Sequence, residues 1–313
     1  MRLACVGDNV VDIYPSLGLM FPGGNTVNVA VAARRAGIET AYIGVTGTDR
    51  AGKVVMDALR AEQIDVSRAR VVNGPNAYTT IELHAGDRVF GASDPGVSNF
   101  SLNDEDRHYL AGFDIVHSGD NSMLEDQIGW LAEVAAVSFD FGERPPAYWR
   151  PLAPYVRIAC FSGAQLLSVE EAEELAHSAA RLGPKLVLVS EGARGAMVLH
   201  QDRVVRISSS VTPVDTLGAG DSLIGRFLVG IIAGEKPRDA LVAAGEVAAE
   251  TCLSYGAFGH ATPLSASGAD ANSWSSANTD DSRASPMGAA SCGHTSNATS
   301  SARPASQATA GQS

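Results

Sequence analysis

The sequence predicts an α/β protein, a mostly parallel sheet covered by helices on both faces. Three observations predict it. Along residues 1–264, short apolar runs of buried-strand length alternate with longer segments of helical spacing. Glycines fall where helices should stop, as at Gly37 and Gly256. With 313 residues, 45% of them hydrophobic and 19% charged, the chain can bury a large core without staples.

In chain order, Leu3–Val6 reads as a short apolar strand. Asn25 is placed to cap a helix running to about Arg35, with Gly37 as its stop. Ala41–Val45 reads as a strand and Gly52–Ala61 as a helix. Ala77–Leu83 and Arg88–Ala92 are two strands joined by His84-Ala85-Gly86-Asp87 with no helix between them, a hairpin suited to a small separate sheet. Asp114–His117, Val137–Phe141 and Ile158–Phe161 are further strands, with helical patterns near Glu125–Ala135 and Val169–Leu182. Lys185–Ser190 reads as a buried strand. Met197–His200 and Val204–Ile207 form a second hairpin, an antiparallel edge of the main sheet. Ser222–Gly230 and Pro237–Tyr255 complete the pattern as helices, and there is no internal repeat.

Composition excludes several classes. Lys plus Arg is 23 against 35 for Asp plus Glu, so the net charge is −12 and a general nucleic-acid binder is not expected. A local anion site remains open to an acidic protein. Cys5, Cys160, Cys252 and Cys292 show no CxxC spacing, hence no zinc or redox motif; Cys5 and Cys160 lie in apolar runs and read as reduced core residues. The N-terminal apolar stretch is too soon interrupted for a signal peptide, and no run approaches 18 apolar residues, so the expected location is the cytoplasm, without membrane partners. From Ser265 to Ser313 there are 13 serines and no Val, Ile, Leu, Phe or Tyr, which predicts a disordered tail after a folded body of residues 1–264.

The segment that carries chemistry is Asp215-Thr216-Leu217-Gly218-Ala219-Gly220-Asp221, followed by the apolar helical stretch. Glycines flanking one alanine let the backbone approach a ligand closely. The following helix aims its free N–H groups and positive dipole end at that turn, an anion hole. Asp221 stands inside it. A base beside a phosphate cradle is what phosphoryl transfer to a hydroxyl requires. A dinucleotide-binding oxidoreductase would need GxGxxG after the first strand; Gly7 is followed instead by Asp8-Asn9-Val10-Val11-Asp12.

This run resembles the signature of the ribokinase-like (PfkB) family of sugar kinases. Gly23-Gly24-Asn25-Thr26-Val27-Asn28 resembles the opening of that family's sugar-binding helix, and Gly7–Asp12 its first strand and sugar-binding Asp. The resemblance spans about residues 1–260. It implies a three-layer α/β sandwich with a mostly parallel central sheet plus a small β-sheet lid, here mainly 13–21 and 77–92. It implies ATP and Mg²⁺ as cofactors and a small-molecule sugar as substrate. Asp221 would be the base, and the N–H groups of Gly218, Ala219, Gly220 and Asp221 would stabilise the transferring phosphoryl group. Asp12, Gly24 and Asn28 would bind sugar hydroxyls. Asp8 and Asn25 are further candidates on the sugar side, and Arg88 on the lid could close over sugar or phosphate. Ser190-Glu191-Gly192 resembles the nucleotide loop, with Ser190, Gly192 and Thr216 toward ATP. Glu191 stands where a small or apolar residue is usual. Ala244, Gly245 and Ala248 would leave room for the adenine ring. The Asn-x-x-Glu motif common in the family is replaced by Ser162-Gly163-Ala164-Gln165, so no metal ligand is assigned; Asp140 and Asp215 are the candidates for ordering water around Mg²⁺. Glu82–Gly91, Asp114–His117 and Phe139–Phe141, with the N-terminal runs, resemble the fructoselysine 6-kinase branch, the alternative being a ribokinase- or fructokinase-type enzyme. A non-catalytic binder would lack the base, and Asp221 is intact. Part of the family dimerises through the lid, which makes a homodimer possible here.

Overall fold

The computed structural model describes residues 1–84 and 87–264, with the backbone alone at 83, 84, 87 and 88. The expected tail, 265–313, Cys292, and the side chain of Arg88 lie outside the described residues. In chain order the elements are β1 (Arg2–Val6), β2 (Val10–Tyr14), β3 (Leu19–Gly23), α1 (Asn25–Arg35), β4 (Glu39–Ile43), β5 (Val45–Gly47), α2 (Arg50–Ala61) and β6 (Arg70–Val72). There follow β7 (Tyr78–His84), β8 (Asp87–Asp94), α3 (Asp104–Leu110), β9 (Ile115–Gly119), α4 (Ile128–Ala132), β10 (Ala136–Asp140), α5 (Pro146–Trp149) and β11 (Ile158–Ser162). The chain continues through α6 (Val169–Ala180), β12 (Leu186–Ser190), β13 (Ala196–His200), β14 (Arg203–Ile207), α7 (Ala219–Ile232), α8 (Pro237–Thr251) and β15 (Thr262–Pro263).

The main sheet has eight strands in the order β14-β13-β12-β11-β10-β9-β1-β4. All neighbours pair parallel except β12 with β13 and β13 with β14. The second hairpin is therefore the antiparallel edge that its sequence predicts. Strands buried on both faces read as continuous apolar runs, and β1 shows why. Leu3 and Cys5 join one core with α1, α7 and α8; Ala4 and Val6 join the other with α3 to α6. Burial also pushes the Cys5 and Cys160 thiols well up, in keeping with reduced core residues. Among the described residues no helix is long and apolar enough to cross a membrane.

The lid is a five-stranded sheet in the order β15-β3-β2-β7-β8. It is larger than the expected 13–21 and 77–92, because it takes in 10–14 and 22–23 and a returning strand, β15. That strand reaches β3 after α8 and is fastened by Arg50 Nη2 donating to Pro263 O at 2.6 Å. Other boundaries move for identifiable reasons. The strand expected at 41–45 divides at Gly44 into β4 and β5, and β5 leaves to pair with β6. The pattern at 125–135 yields only a 3-10 turn and one short helix. The last helix stops at Thr251 rather than Tyr255, and Gly256 turns with φ +74. α3 was not expected. Its signal is the capping box of Asn103 and Asp106. The fully buried Asp106 carboxylate is also gripped by Arg68 and Arg70.

Candidate active site

A cleft of about 790 Å³ runs along the carboxyl ends of β1, β10, β11 and β12 and beneath the lid. In an open α/β sheet that edge is where ligands bind. The packing of two helices sets its floor. A side chain on Gly225 of α7 would stand 2.7 Å from Val29 O of α1, so α1 and α7 approach more closely than any larger residue permits. That approach brings Asp221, in the first turn of α7, over Asn25 and Asn28, which share one face of α1.

Asp221 is held at both oxygens. Asn25 Nδ2 donates to its Oδ1 at 2.8 Å, and Asn28 Nδ2 donates to its Oδ2 at 2.7 Å. Both amides therefore position the carboxylate, and both residues line the cleft. Asn25 is not the cap that its spacing suggested. Gly24 is the N-cap, with φ +104, where a Cβ would sit 2.7 Å from Asn9 Cα. The capping acceptor is Asp8, which takes N–H bonds from Asn25 at 2.8 Å and Thr26 at 3.4 Å and a hydroxyl from Ser122 at 3.1 Å. Asp8 lines the cleft but acts chiefly as the anion at the α1 N-terminus. Burial raises its carboxyl despite those donors.

The second hydrogen of Asn25 Nδ2 goes to Asp140 Oδ2 at 2.9 Å, and Asn25 Oδ1 faces His117 Nε2 at 3.1 Å. His117 Nδ1 lies 3.0 Å from Ser138 Oγ. Burial lowers the pKa of His117 to about 3, so the ring is neutral. Burial pushes Asp140 well above the usual carboxylate range, and Asp120, Asp221 and Asp8 add to it. Asp120 is raised by burial too, against the pull of Arg144, whose Nε donates to it at 2.7 Å. His117, Ser138 and the Asp120–Arg144 pair received no role from the sequence. Their signal was position: His117 and Ser138 are polar residues inside parallel strands that are otherwise apolar, and Asp120 and Arg144 lie in the loops that follow those strands.

Asp12 is buried and lines the cleft from lid strand β2. Asn9 Oδ1 and Asn28 Oδ1 are buried without a hydrogen-bond partner among the described residues, and both residues line the cleft. Such acceptors suit a ligand rich in hydroxyl groups.

On the other side, Thr216, Gly218, Gly220 and Ser190 line the cleft. Gly218 is the left-handed N-cap of α7, and a side chain at Gly220 would meet nothing within 4 Å, so the mouth of the anion hole is open. The Ala219 N–H is directed at Thr216 O, 3.3 Å away. Gly192 lies on the exposed loop after β12. At Gly245 a Cβ would stand 2.3 Å from Ile207 Cδ1, so the missing side chain lets α8 pack closely on β14. Ala244 is fully buried in the core. Glu191 turns inward and pairs with Arg206 of β14, which also reaches Glu173 at 3.2 Å; the departure from the usual residue is thus a strut behind the nucleotide loop.

Asp215 is not among the residues that line the cleft. It is buried, accepting from Tyr14 Oη at 2.6 Å, Leu217 N at 2.9 Å and Gly256 N at 3.2 Å, and so ties the lid strand to the phosphate loop. Among the described residues no three acidic, His or Cys side chains are grouped to hold a metal ion. Asp8, Asp120 and Asp140 are each engaged by protein donors. This donor set fits an ion carried mainly by phosphate oxygens and water better than a protein cage.

The comparisons agree with this geometry. The family model described as pfkB family carbohydrate kinase matches residues 8–262. A Bacillus subtilis (strain 168) relative, fructosamine kinase FrlD, is 39% identical over 272 residues, covering 84% of this chain and 95% of that one. Fructoselysine 6-kinase of Escherichia coli (strain K12) is 37% identical over 261 residues, covering 82% and 99%. The solved structure of Arabidopsis thaliana ribokinase complexed with ribose and ATP superposes with a TM-score of 0.70 at 21% identity, covering 82% and 94%. The fold and cleft define a ribokinase-like phosphotransferase acting on a sugar hydroxyl. The chain belongs to the pfkB family of carbohydrate kinases.

Proposed function

We propose that this kinase transfers the γ-phosphoryl group of ATP to the 6-hydroxyl of fructoselysine or a related fructosamine, with Asp221 as the general base. The observation that carries the mechanism is Asp221 itself, fixed at both oxygens over the cleft at the N-terminus of α7. The observation that carries the substrate is the 37–39% identity, over nearly their whole length, to relatives named for fructosamine and fructoselysine.

Asp12, Gly24 and Asn28 hold the sugar under the lid. Asp221 accepts the proton of the attacking hydroxyl as the new O–P bond forms. The N–H groups of Gly218, Gly220 and Asp221 meet the charge of the transferring group. Ser190, Thr216 and the loop at Gly192 hold the nucleotide. When bound, Mg²⁺ neutralises triphosphate charge. Lid closure over the cleft excludes water and limits hydrolysis. The outer lid strand β8, with Val89 and Phe90 about half exposed, supports pairing with a second copy, which sedimentation velocity would detect.

An ADP-release assay against fructoselysine, fructose and ribose tests the substrate. A rate far above the others with fructoselysine is expected; preference for a free sugar would overturn the fructosamine reading. Asp221→Asn should abolish turnover while sugar binding survives, and more than about a tenth of the wild-type rate would remove Asp221 as the base.

A further inference from the structure

We infer that Asn25 is a positioning residue for the base, and that neutral His117 fixes which way its amide faces. This inference rests on Asp221 being the base. It assigns Asn25 a role other than contact with sugar, and gives His117 a role in the reaction.

The hydrogen-bond inventory carries it. An asparagine amide has two donor hydrogens and one acceptor oxygen. Asn25 spends both hydrogens on carboxylates, Asp140 at 2.9 Å and Asp221 at 2.8 Å. Turned by 180°, the amide would aim its oxygen at two carboxylates and its hydrogens at His117. The donor needed on the other side is His117 Nε2–H, 3.1 Å from Asn25 Oδ1. His117 carries one ring proton because burial holds it neutral, and Asn25 Oδ1, which can only accept, calls for that proton on Nε2. Nδ1 is then an acceptor for the Ser138 hydroxyl, 3.0 Å away. The chain therefore reads Ser138 to His117 to Asn25 to the pair Asp140 and Asp221, each link donating to the next. It is anchored in β9 and β10, rigid inner strands of the main sheet.

The consequence is geometric. Asn28 fixes one oxygen of Asp221, and Asn25 fixes the other against the sheet. Two anchors on opposite oxygens define the plane of the carboxylate, and loss of either weakens that definition. A base displaced by about 1 Å can lose on the order of a hundredfold in rate. Asn25 has no hydrogen left for a sugar oxygen, so its loss should be felt in kcat.

The test uses the full chain and four variants. Asn25→Ala is expected to lower kcat by about 10- to 100-fold with the sugar KM within about threefold. His117→Leu, which cannot donate, should show the same split. His117→Gln, whose amide can donate from near the Nε2 position, should recover most of the rate. A role in packing alone would not separate Gln from Leu in that way. Asp221→Asn runs in parallel. If it keeps substantial activity, the base assignment fails. If it is inactive while Asn25→Ala and His117→Leu turn over normally, this inference fails and the base stands. A raised sugar KM with unchanged kcat in Asn25→Ala would make Asn25 a sugar ligand and overturn the proposal. A readout independent of turnover is the long-range ¹H–¹⁵N spectrum of the histidine-labelled protein, with His117 assigned by difference against His117→Gln. The Nε2–H tautomer is expected; Nδ1–H at His117 would reverse the amide and refute the chain.

Discussion

Tyr14→Phe isolates one hydroxyl at the joint between lid and phosphate loop. Tyr14 ends lid strand β2 and is fully buried, edge-on to Phe21 at 5.3 Å and to Tyr255 at 6.2 Å. Phenylalanine keeps those ring contacts and removes the 2.6 Å bond to Asp215 Oδ2. A hydrogen bond to a charged group contributes about 1.5–3 kcal/mol. Asp215 keeps the N–H groups of Leu217 and Gly256, so the loop is loosened without being released. The expected loss is about 2 kcal/mol, which corresponds to a Tm lower by roughly 4–8 °C for a body of this size. Leu217, between Thr216 and Gly218, is tied to the same carboxylate, so the KM for ATP should rise severalfold while the sugar KM stays close to wild type. Urea unfolding reads the first effect, with the midpoint lowered and the slope unchanged. Initial rates at varied ATP read the second. A Tm within about 1 °C of wild type, together with an unchanged ATP KM, would refute the argument that this bond couples lid to loop.

Three further outcomes follow from the same contacts. Glu191→Gln removes the buried charge opposite Arg206, which keeps Glu173 and Val169 O and is partly solvated; the expected cost is about 1–3 kcal/mol with a raised ATP KM, and an unshifted urea midpoint would contradict the strut. His117 has a folded pKa of about 3, below its unfolded value of about 6.5, so as pH falls the unfolded chain takes up its proton first. Its contribution is lost progressively from about pH 6.5 down to about 3, and His117→Gln should gain on wild type when urea unfolding is repeated at pH 7, 6 and 5; Asp8 and Asp140, raised by burial, act with the opposite sign in both proteins and largely cancel. Gly24→Ala forces a side chain onto Asn9 Cα at a φ of +104, and should destabilise the protein by more than the ~1 kcal/mol of an ordinary surface change, measured by thermal unfolding.

The sheet was legible because each parallel strand carries its own apolar run, and periodicity needs no knowledge of neighbours. The lid was legible only in part. β7 and β8 announce themselves by their turn, but β15 is two residues whose identity as a strand comes wholly from β3 beside it. The glycine motif located Asp221 and the anion hole by spacing, since those residues are contiguous. What spacing cannot give is the direction of a side chain. Asn25 at the start of a helix has the composition of a cap. The backbone turns one residue earlier, at Gly24, and a carboxylate 17 residues upstream does the capping instead. Gly245 makes a related point: a small residue on a helix signals a close approach, and only the fold shows that its neighbour is Ile207. His117 was invisible as a functional residue because its partners, Ser138 and Asn25, are 21 and 92 positions away.

The cleft contains more carboxylates than one proton transfer needs, and their partners separate their tasks. Asp8 is bound by the amides that open α1, and Asp120 by the guanidinium of Arg144. Asp215 is sealed beneath the phosphate loop by Tyr14. Asp140 shares an amide with Asp221, and burial together with its acidic neighbours drives it toward the protonated form. The upward shift of Asp140 weakens its charge beside the base. It also leaves Asp221 as the carboxylate that combines amide support at both oxygens, a place at the dipole end of a fourteen-residue helix and a face on the cleft. Asn25→Ala takes a donor from Asp140 as well as from Asp221, and loss of a donor moves Asp140 further toward its neutral form. The ATP KM of that variant should therefore stay close to wild type as initial rates are followed across neutral pH. An ATP KM that rises with pH would show that Asp140 gains charge when the amide is lost, and would refute this division of tasks.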